Sequence, residues 1–97
     1  MVKIKDRWDY EEDKKKGKLN GWYKLPGIDG PNYILYKNGK FKAGVYISEV
    51  DLDKNRRYEV WVGDDSGESE TISYHRYPSK AEDSAERWIK KHPKGEI

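Results

Sequence analysis

The chain has no cysteine and only two histidines among its 97 residues. Without thiols it cannot form disulfides, bind metal through thiolates or use a cysteine nucleophile. His75 and His92 stand alone, with no carboxylate motif beside them, so a zinc site is not expected. We expect neither a metal nor a small-molecule cofactor.

Long hydrophobic runs are also missing. Hydrophobic residues make up 34% of the chain, and no apolar stretch approaches the roughly 18 residues that a membrane-spanning helix needs. The start, Met1–Trp8, carries charges where a secretory signal would have its apolar core. We therefore expect a cytoplasmic protein without a membrane partner.

Neither charge is in clear excess. Twenty Lys and Arg face eighteen Asp and Glu, for a net charge of +2, so only a local basic patch could indicate nucleic acid. A uniform mixture with 39% charged residues would favour disorder. However, four Trp, eight Tyr and one Phe supply large buriable side chains, mainly in the middle and C-terminal parts. This composition indicates one small domain with a thin aromatic core.

The N-terminal segment, residues 1–20, is set apart by its charge. Apolar residues alternate between Val2 and Tyr10, as in a strand, whereas Glu11–Lys18 offers i,i+4 charge pairs, as in a helix. The sequence leaves open whether this segment is mobile or forms a short helix. We assign residues 21–97 to a single small α+β domain.

The clearest local signal is Asn38-Gly39 between two apolar, aromatic-rich runs. Asn-Gly favours a two-residue type I′ hairpin turn, which would place Lys37 opposite Lys40 and Tyr36 opposite Phe41. If this register continues along both strands, one face contains Ile34, Tyr36, Phe41, Ala43, Val45 and Ile47. The other face contains Tyr33, Leu35, Lys37, Lys40, Lys42 and Tyr46.

Two further strands follow the hairpin. Arg57–Gly63 and Glu70–Tyr77 both alternate apolar and polar residues. The Asp51–Asn55 connection begins with the spacing of a calcium loop, but Arg56 and Val62 stand where that loop requires Gly and Glu. An Asx-rich turn is the better interpretation.

A helix over residues 79–92 closes the chain. Ser79 and Glu82 have the spacing of a capping box, and Pro93 ends the helix. One apolar stripe of the helical repeat contains Ala81, Ala85, Trp88, Ile89 and His92. The predicted fold is α+β, an antiparallel three- to four-stranded β-meander with this C-terminal amphipathic helix packed on one face.

Three strands followed by a C-terminal helix, over about residues 32–92, resemble the DNA-binding domains of the plant ethylene-response and integrase-arm type. In those domains the exposed sheet face enters the major groove. Their arginine- and tryptophan-rich signature is absent here, so the resemblance concerns architecture and carries over no functional residue.

The sheet face away from the helix is the candidate binding surface. Aromatic side chains there could stack on bases while cations contact phosphates. We therefore predict a non-enzymatic module that binds nucleic acid; the alternative is a small accessory or inhibitor protein, or a homodimer, that contacts protein through the same aromatic face. An ordinary sheet surface would also favour Tyr and Trp. The predicted site residues are Tyr33, Lys37, Lys40, Lys42, Tyr46, Arg57, Trp61 and His75.

An enzyme is not expected. Ser73 and His75 share a strand face, but the sequence indicates neither a third orienting group nor an oxyanion site. It also contains no phosphate-binding glycine loop, nucleophile elbow or helical pair of zinc histidines.

Overall fold

A computed structural model of the protein describes residues 18–19 and 21–95. The strand and helix patterns predicted before residue 18 lie outside this range. The elements are β1 (Lys18–Leu19), β2 (Trp22–Leu25), β3 (Asn32–Lys37), β4 (Lys40–Asp53), β5 (Arg56–Asp64), β6 (Ser69–His75) and the helix α1 (Pro78–Lys91). The strands are antiparallel and adjacent in chain order.

The α+β class and the antiparallel meander with its C-terminal helix are confirmed. The strand count is not. Within the described residues the sheet has five strands of four or more residues instead of three to four, and the two-residue β1 lies at its edge. The strand β2 was not predicted because it is short and runs directly into the loop that begins at Pro26-Gly27.

The predicted hairpin turn is confirmed. Asn38 has φ 54° and Gly39 has φ 77°, the left-handed values that a type I′ turn requires. Lys37 lies opposite Lys40, and Tyr36 lies opposite Phe41, as expected. The turn therefore starts the β3–β4 ladder in the predicted register.

The pairing register of β3 with β4 shifts by one residue between Tyr36 and Leu35. Leu35 pairs with Ala43, so Lys42 is the extra residue of a β-bulge. Since alternate side chains of a strand point to opposite faces, the bulge exchanges the faces predicted for β3. Tyr33 and Leu35 lie beneath the helix, whereas Ile34 and Tyr36 lie on the opposite face, together with Phe41. The predicted faces of these five residues are wrong.

The main core lies between the sheet and α1. Trp88 and Ile89 belong to one cluster with Val45, Val60 and Ile72, whereas Ile34 and Phe41 belong to the cluster on the opposite sheet face. Each large apolar side chain buried in this way contributes about 1.5–3 kcal/mol. The buried residues of this cluster are Trp22, Tyr33, Leu35, Ala43, Val45, Ile47, Val60, Val62, Ala81, Ala85 and Ile89.

The helix α1 starts one residue earlier than predicted. Pro78 occupies its first turn, and the N-cap is Tyr77, whose side chain makes no capping hydrogen bond. The predicted capping box at Ser79 is therefore wrong. The apolar stripe is confirmed where Ala81 and Ile89 are fully buried. Within the described residues, no helix is long and apolar enough to cross a membrane.

The C-terminal end of α1 is attached to β2. The indole of Trp22 donates a 3.3 Å hydrogen bond to the carbonyl oxygen of His92, and its ring meets that of Trp88 edge-on at 6.0 Å. His92 in turn stacks on Trp88 with ring centroids 3.9 Å apart. This arrangement fixes the direction in which residues 93–95 leave the helix.

A second, smaller cluster occupies the sheet face opposite α1. Its buried members are Tyr23, Leu25 and Ile34. Partly buried rings of Tyr36, Phe41 and Tyr46 pack against them. The part of this sheet face that β2, β3 and β4 form is therefore apolar and largely buried.

Candidate nucleic-acid interface

Tyr33 does not lie on the exposed face. It is fully buried beneath α1, where its hydroxyl donates a 2.7 Å hydrogen bond to Oε2 of Glu86. Burial, together with this bond, raises the pKa of Tyr33 well above its ordinary value. The prediction was wrong because the bulge at Lys42 turns Tyr33 inward.

His75 also lies on the helix side. A second register shift, at Ile72, places Thr71 opposite Trp61 but Ser73 opposite Val60, so Ser73 and His75 turn toward α1. Nε2 of His75 lies 2.8 Å from Oγ of Ser73. Burial, aided by the charge of Arg87, lowers the pKa of His75. Its predicted place on the exposed face is wrong.

Arg57 is exposed but is far from the lysines. Its guanidinium lies 4.0 Å from Glu49 and 3.6 Å from Asp51. From Lys40 to Glu49 the strand runs about 30 Å, at roughly 3.3 Å per residue. The structure therefore does not bring Arg57 into one surface with the lysines of the hairpin.

The basic residues Lys37, Lys40 and Lys42 gather at the hairpin end of the sheet. Lys37 and Lys42 line a cleft of about 430 Å³, here called the lysine cleft, which Lys40 adjoins as the cross-strand partner of Lys37. Nζ of Lys42 lies 3.8 Å from a carboxylate oxygen of Asp65. The full lining of the cleft is Leu35, Tyr36, Lys37, Lys42, Pro93 and Lys94.

Lys94, which lines the cleft, is not among the predicted site residues. The chain returns to the hairpin because Gly95, with φ 71°, is buried against it. An added Cβ at Gly95 would come within 2.8 Å of the Leu35 side chain and 3.2 Å of that of Ala43. Only glycine fits this close approach in a left-handed conformation. That packing holds Lys94 beside the hairpin.

Few carboxylates of the described residues lie near the lysine cleft. Among the described residues, no carboxylate lies within salt-bridge distance of Lys37, Lys40 or Lys94; Lys42 has only its long contact with Asp65. Lys37 and Lys40 also face each other directly, and like charges opposite one another destabilise a hairpin. Within the described part of the chain, the hairpin end of the sheet therefore carries four lysines and one long ion pair.

Tyr46 and Trp61 form a separate aromatic pair on the face opposite α1. Their ring centroids are 4.5 Å apart, with 34° between the planes. The Tyr46 ring covers Gly44, because a Cβ there would lie 2.2 Å from the tyrosine hydroxyl. The indole of Trp61 donates a 3.1 Å hydrogen bond to Oγ of Ser48. The aromatic pair is therefore fixed, but the lysines do not line the hollows that flank Trp61.

The carboxylates of Asp53 and Asp64 accept hydrogen bonds from backbone groups of their own turns. Asp53 accepts hydrogen bonds from the backbone N–H groups of Asn55 and Arg56, which confirms the predicted Asx-rich turn. Asp64 likewise accepts from Ser66 and Glu68. Among the described residues, no group of three or more His, Cys, Asp or Glu side chains could hold a metal ion.

No known protein family, curated protein or solved structure matches this chain. Function therefore has to be inferred from the lysine cleft and the aromatic pair themselves.

Proposed function

We propose that the protein is a non-enzymatic module that binds nucleic acid through the lysine cleft and the adjoining hairpin turn. The observation that carries this proposal is the direct opposition of Lys37 and Lys40. Their mutual repulsion costs stability in the free protein. A phosphate between the two ammonium groups would relieve that repulsion, so the hairpin is suited to an anionic ligand.

Two further lysines extend the basic surface. Lys42 and Lys94 line the same cleft as Lys37. A single phosphate would not occupy the three ammonium groups along this cleft of about 430 Å³ together with that of Lys40 beside it, whereas a phosphodiester backbone offers one charge per nucleotide. Lysine binds phosphate as a compact point charge without base-specific geometry. We therefore propose backbone binding with little sequence preference.

A contact of this kind depends strongly on salt. Each phosphate neutralised contributes roughly −0.7 to −0.9 to the slope of log K against log salt concentration. Four lysine contacts would give a slope of about −3 to −4. The affinity should accordingly be weak at physiological ionic strength, with Kd of about 10⁻⁴ to 10⁻⁶ M.

The arrangement around His75 differs, within the described residues, from a catalytic triad. Ser73 lies 2.8 Å from His75 and 2.7 Å from Oγ of Ser84. The hydrogen-bonded chain thus ends on a second hydroxyl, and among the described residues no carboxylate hydrogen-bonds to His75. A nucleophilic serine needs a base that is itself oriented by a third group.

Fluorescence anisotropy with a labelled 20-nucleotide strand and the matching duplex tests the proposal. The double variant Lys37→Ala/Lys40→Ala should bind about tenfold more weakly at 50 mM salt, because two phosphate contacts are lost. The matched control, Lys54→Ala/Lys80→Ala, removes the same charge from exposed positions outside the cleft. Equal weakening by both double variants, or no binding by the native protein at low salt, would show the proposal to be wrong.

A further inference from the structure

The two sides of α1 that border its buried stripe carry opposite charges. On one side, Nζ of Lys24 lies 2.7 Å from a carboxylate oxygen of Glu82 and 2.9 Å from one of Glu86. Glu86 also accepts the hydrogen bond from the hydroxyl of Tyr33. The acidic side of the helix therefore has partners on β2 and β3.

The other side of α1 is basic. Arg87 and Lys91 are four residues apart, so their side chains lie on the same side of the helix. Ser84, three residues before Arg87, is hydrogen-bonded to Ser73 of β6, so this side of the helix is the one toward β6. Arg87 and Lys91 are exposed, and no carboxylate in the described part of the chain lies within salt-bridge distance of either. We call this pair the basic flank.

The end of α1 does not use Lys91 as a hydrogen-bond donor. Basic side chains in a last helical turn can bond to the free carbonyl groups there, but these carbonyls have other partners. The carbonyl oxygen of Ile89 accepts from the backbone N–H of His92, and that of His92 accepts from Gly95. The carbonyl oxygen of Trp88 lies 2.8 Å from Nδ1 of His92. The ammonium group of Lys91 is therefore available to a ligand.

The basic flank leads into the lysine cleft. Pro93 and Lys94 line the cleft and follow directly after the end of α1. Lys91 stands three residues before Lys94, and Arg87 lies about 6 Å further along the helix axis, at 1.5 Å per residue. The cations of the cleft and of the flank therefore form one row, with the hairpin lysines at one end and Arg87 at the other.

One exposed carboxylate shares the sheet face that carries α1. Glu70 pairs with Val62, which is buried beneath the helix, so the Glu70 side chain points to the same face. Among the described residues, no Lys or Arg lies within salt-bridge distance of Glu70. Its charge weakens the attraction of this face for a phosphate.

We propose that the nucleic-acid site extends from the lysine cleft along the basic flank, so that its ligand is a strand with at least six consecutive phosphates. This inference rests on the proposed function and enlarges its site. Four contacts in and beside the cleft account for a salt slope of about −3 to −4, whereas six give about −4 to −5. The six cations are Lys37, Lys40, Lys42, Arg87, Lys91 and Lys94.

The test is fluorescence anisotropy with a labelled 20-nucleotide strand. Arg87→Ala/Lys91→Ala should bind about tenfold more weakly at 50 mM salt and reduce the salt slope by about 1 to 2. The matched control, Lys54→Ala/Lys90→Ala, removes the same charge from the β4–β5 turn and from the helix side near Glu86. It should stay within about twofold. Equal weakening by both double variants would mean diffuse attraction and would overturn the inference.

The hairpin variant Lys37→Ala/Lys40→Ala, measured in the same assay, separates this inference from the proposed function. Weakening by both the hairpin and the helix variants supports one continuous site. Weakening by the hairpin variant alone overturns the extension along α1 and leaves the proposed function standing. No binding by the native protein overturns both. Thermal unfolding of each variant verifies that the fold is kept.

Strand length gives a second measurement. Oligothymidylates of 4, 6, 8 and 12 nucleotides are compared with the native protein at 50 mM salt. The Kd should fall with each added nucleotide up to about six, as each phosphate finds a cation, and then change only through the larger number of binding positions. A Kd that already levels off at four nucleotides would confine the site to the cleft and overturn the inference.

A charge change on each sheet face shows which side the strand occupies. Glu70→Gln removes a negative charge from the face that carries α1 and should strengthen binding about two- to threefold. Glu59→Gln makes the same change on the opposite face, where Glu59 pairs with Ser48, and should have a smaller effect. Equal effects of the two variants, or a larger one for Glu59→Gln, would overturn the inference.

Discussion

The hydroxyl of Tyr33 donates a 2.7 Å hydrogen bond to Oε2 of Glu86, joining β3 to α1. Nζ of Lys24 approaches the same oxygen at 2.9 Å and reaches Glu82 at 2.7 Å. The side chain of Glu86 is only 28% exposed. One carboxylate thus links two strands to the helix.

Tyr33→Phe should reduce the free energy of unfolding by about 1–2 kcal/mol, because a hydrogen bond to a charged group is lost while the ring stays packed. Urea denaturation followed by circular dichroism measures the change. Tyr58→Phe is the control, since the Tyr58 hydroxyl makes no hydrogen bond within the described part of the chain. Equal losses in both variants would contradict a specific role for the Tyr33–Glu86 bond.

Glu86 also predicts how stability depends on pH. Burial alone would raise its pKa, but hydrogen bonds from Lys24 and Tyr33 outweigh burial, and the pKa lies below its ordinary value. Such a group stabilises the fold above the pKa of the unfolded chain, about 4.3. That stabilisation is lost as pH falls through the folded-state pKa.

We therefore expect the free energy of unfolding to decrease as the pH is lowered below about 5. The decrease should be shallower in Glu86→Gln, whose amide does not titrate. Urea titrations of both proteins between neutral and acidic pH measure the difference. Parallel pH profiles would show that other carboxylates account for the acid sensitivity.

The cross-strand glycine pair offers a matched comparison. A Cβ at Gly44 would lie 2.2 Å from the Tyr46 hydroxyl, whereas one at Gly63 would have its nearest neighbour at 3.5 Å. Gly44→Ala should displace the Tyr46 ring and cost about 1–3 kcal/mol. Gly63→Ala should be neutral or slightly stabilising, because alanine restricts the unfolded chain.

Both glycine variants are measured by thermal unfolding and by the indole N–H resonance of Trp61. Displacement of Tyr46 should move this resonance in Gly44→Ala, because the two rings are in contact. Similar stabilities and spectra for the two variants would mean that Tyr46 does not depend on Gly44 for its position.

The opposition of Lys37 and Lys40 predicts a conflict between stability and binding. Lys40→Glu converts a repulsive cross-strand pair into an attractive one and should raise the free energy of unfolding by about 0.2–1 kcal/mol. The same variant should lose affinity for oligonucleotides. The stability gain should shrink in 1 M salt, where the Debye length is about 3 Å. A gain that is unchanged by salt would not be electrostatic.

Local patterns in the sequence predicted the local structures well. Asn38-Gly39 gave the turn, Asp53 and Asn55 indicated the Asx turn, and the helical spacing identified the buried side of α1. Each of these depends on residues within about one turn of each other. The predicted start of α1 was less accurate. The helix begins at Pro78, and Ser79 does not cap it.

The two bulges could not be predicted from alternation. At Lys42 and at Ile72 one strand has an extra residue relative to its partner, and a shift of one residue exchanges every face beyond it. This is why Tyr33 and His75 were placed on the wrong side. The energy that decides the register comes from burial beneath α1, across many residues of sequence.

The sequence also did not predict that the basic and the aromatic residues lie on separate surfaces. Lys37 and Trp61 were assigned to one face because both alternate correctly with their neighbours. The structure places Trp61 beside Glu59 and Thr71, and it places Lys37 beside Lys94, which comes from the far end of the chain. Contacts between residues so far apart in the chain leave no pattern in the neighbouring sequence that could predict them.

The hydrogen bond from Trp22 to the carbonyl of His92 joins residues 70 positions apart. The strands of the sheet pair with their neighbours in the chain, so this bond closes a much longer stretch of chain than the strand pairings do, at a higher cost in entropy. The helix reaches its final position only when the second strand is already in the sheet. Docking of the helix end is therefore expected as a late event, formed after the transition state and broken early when the protein unfolds.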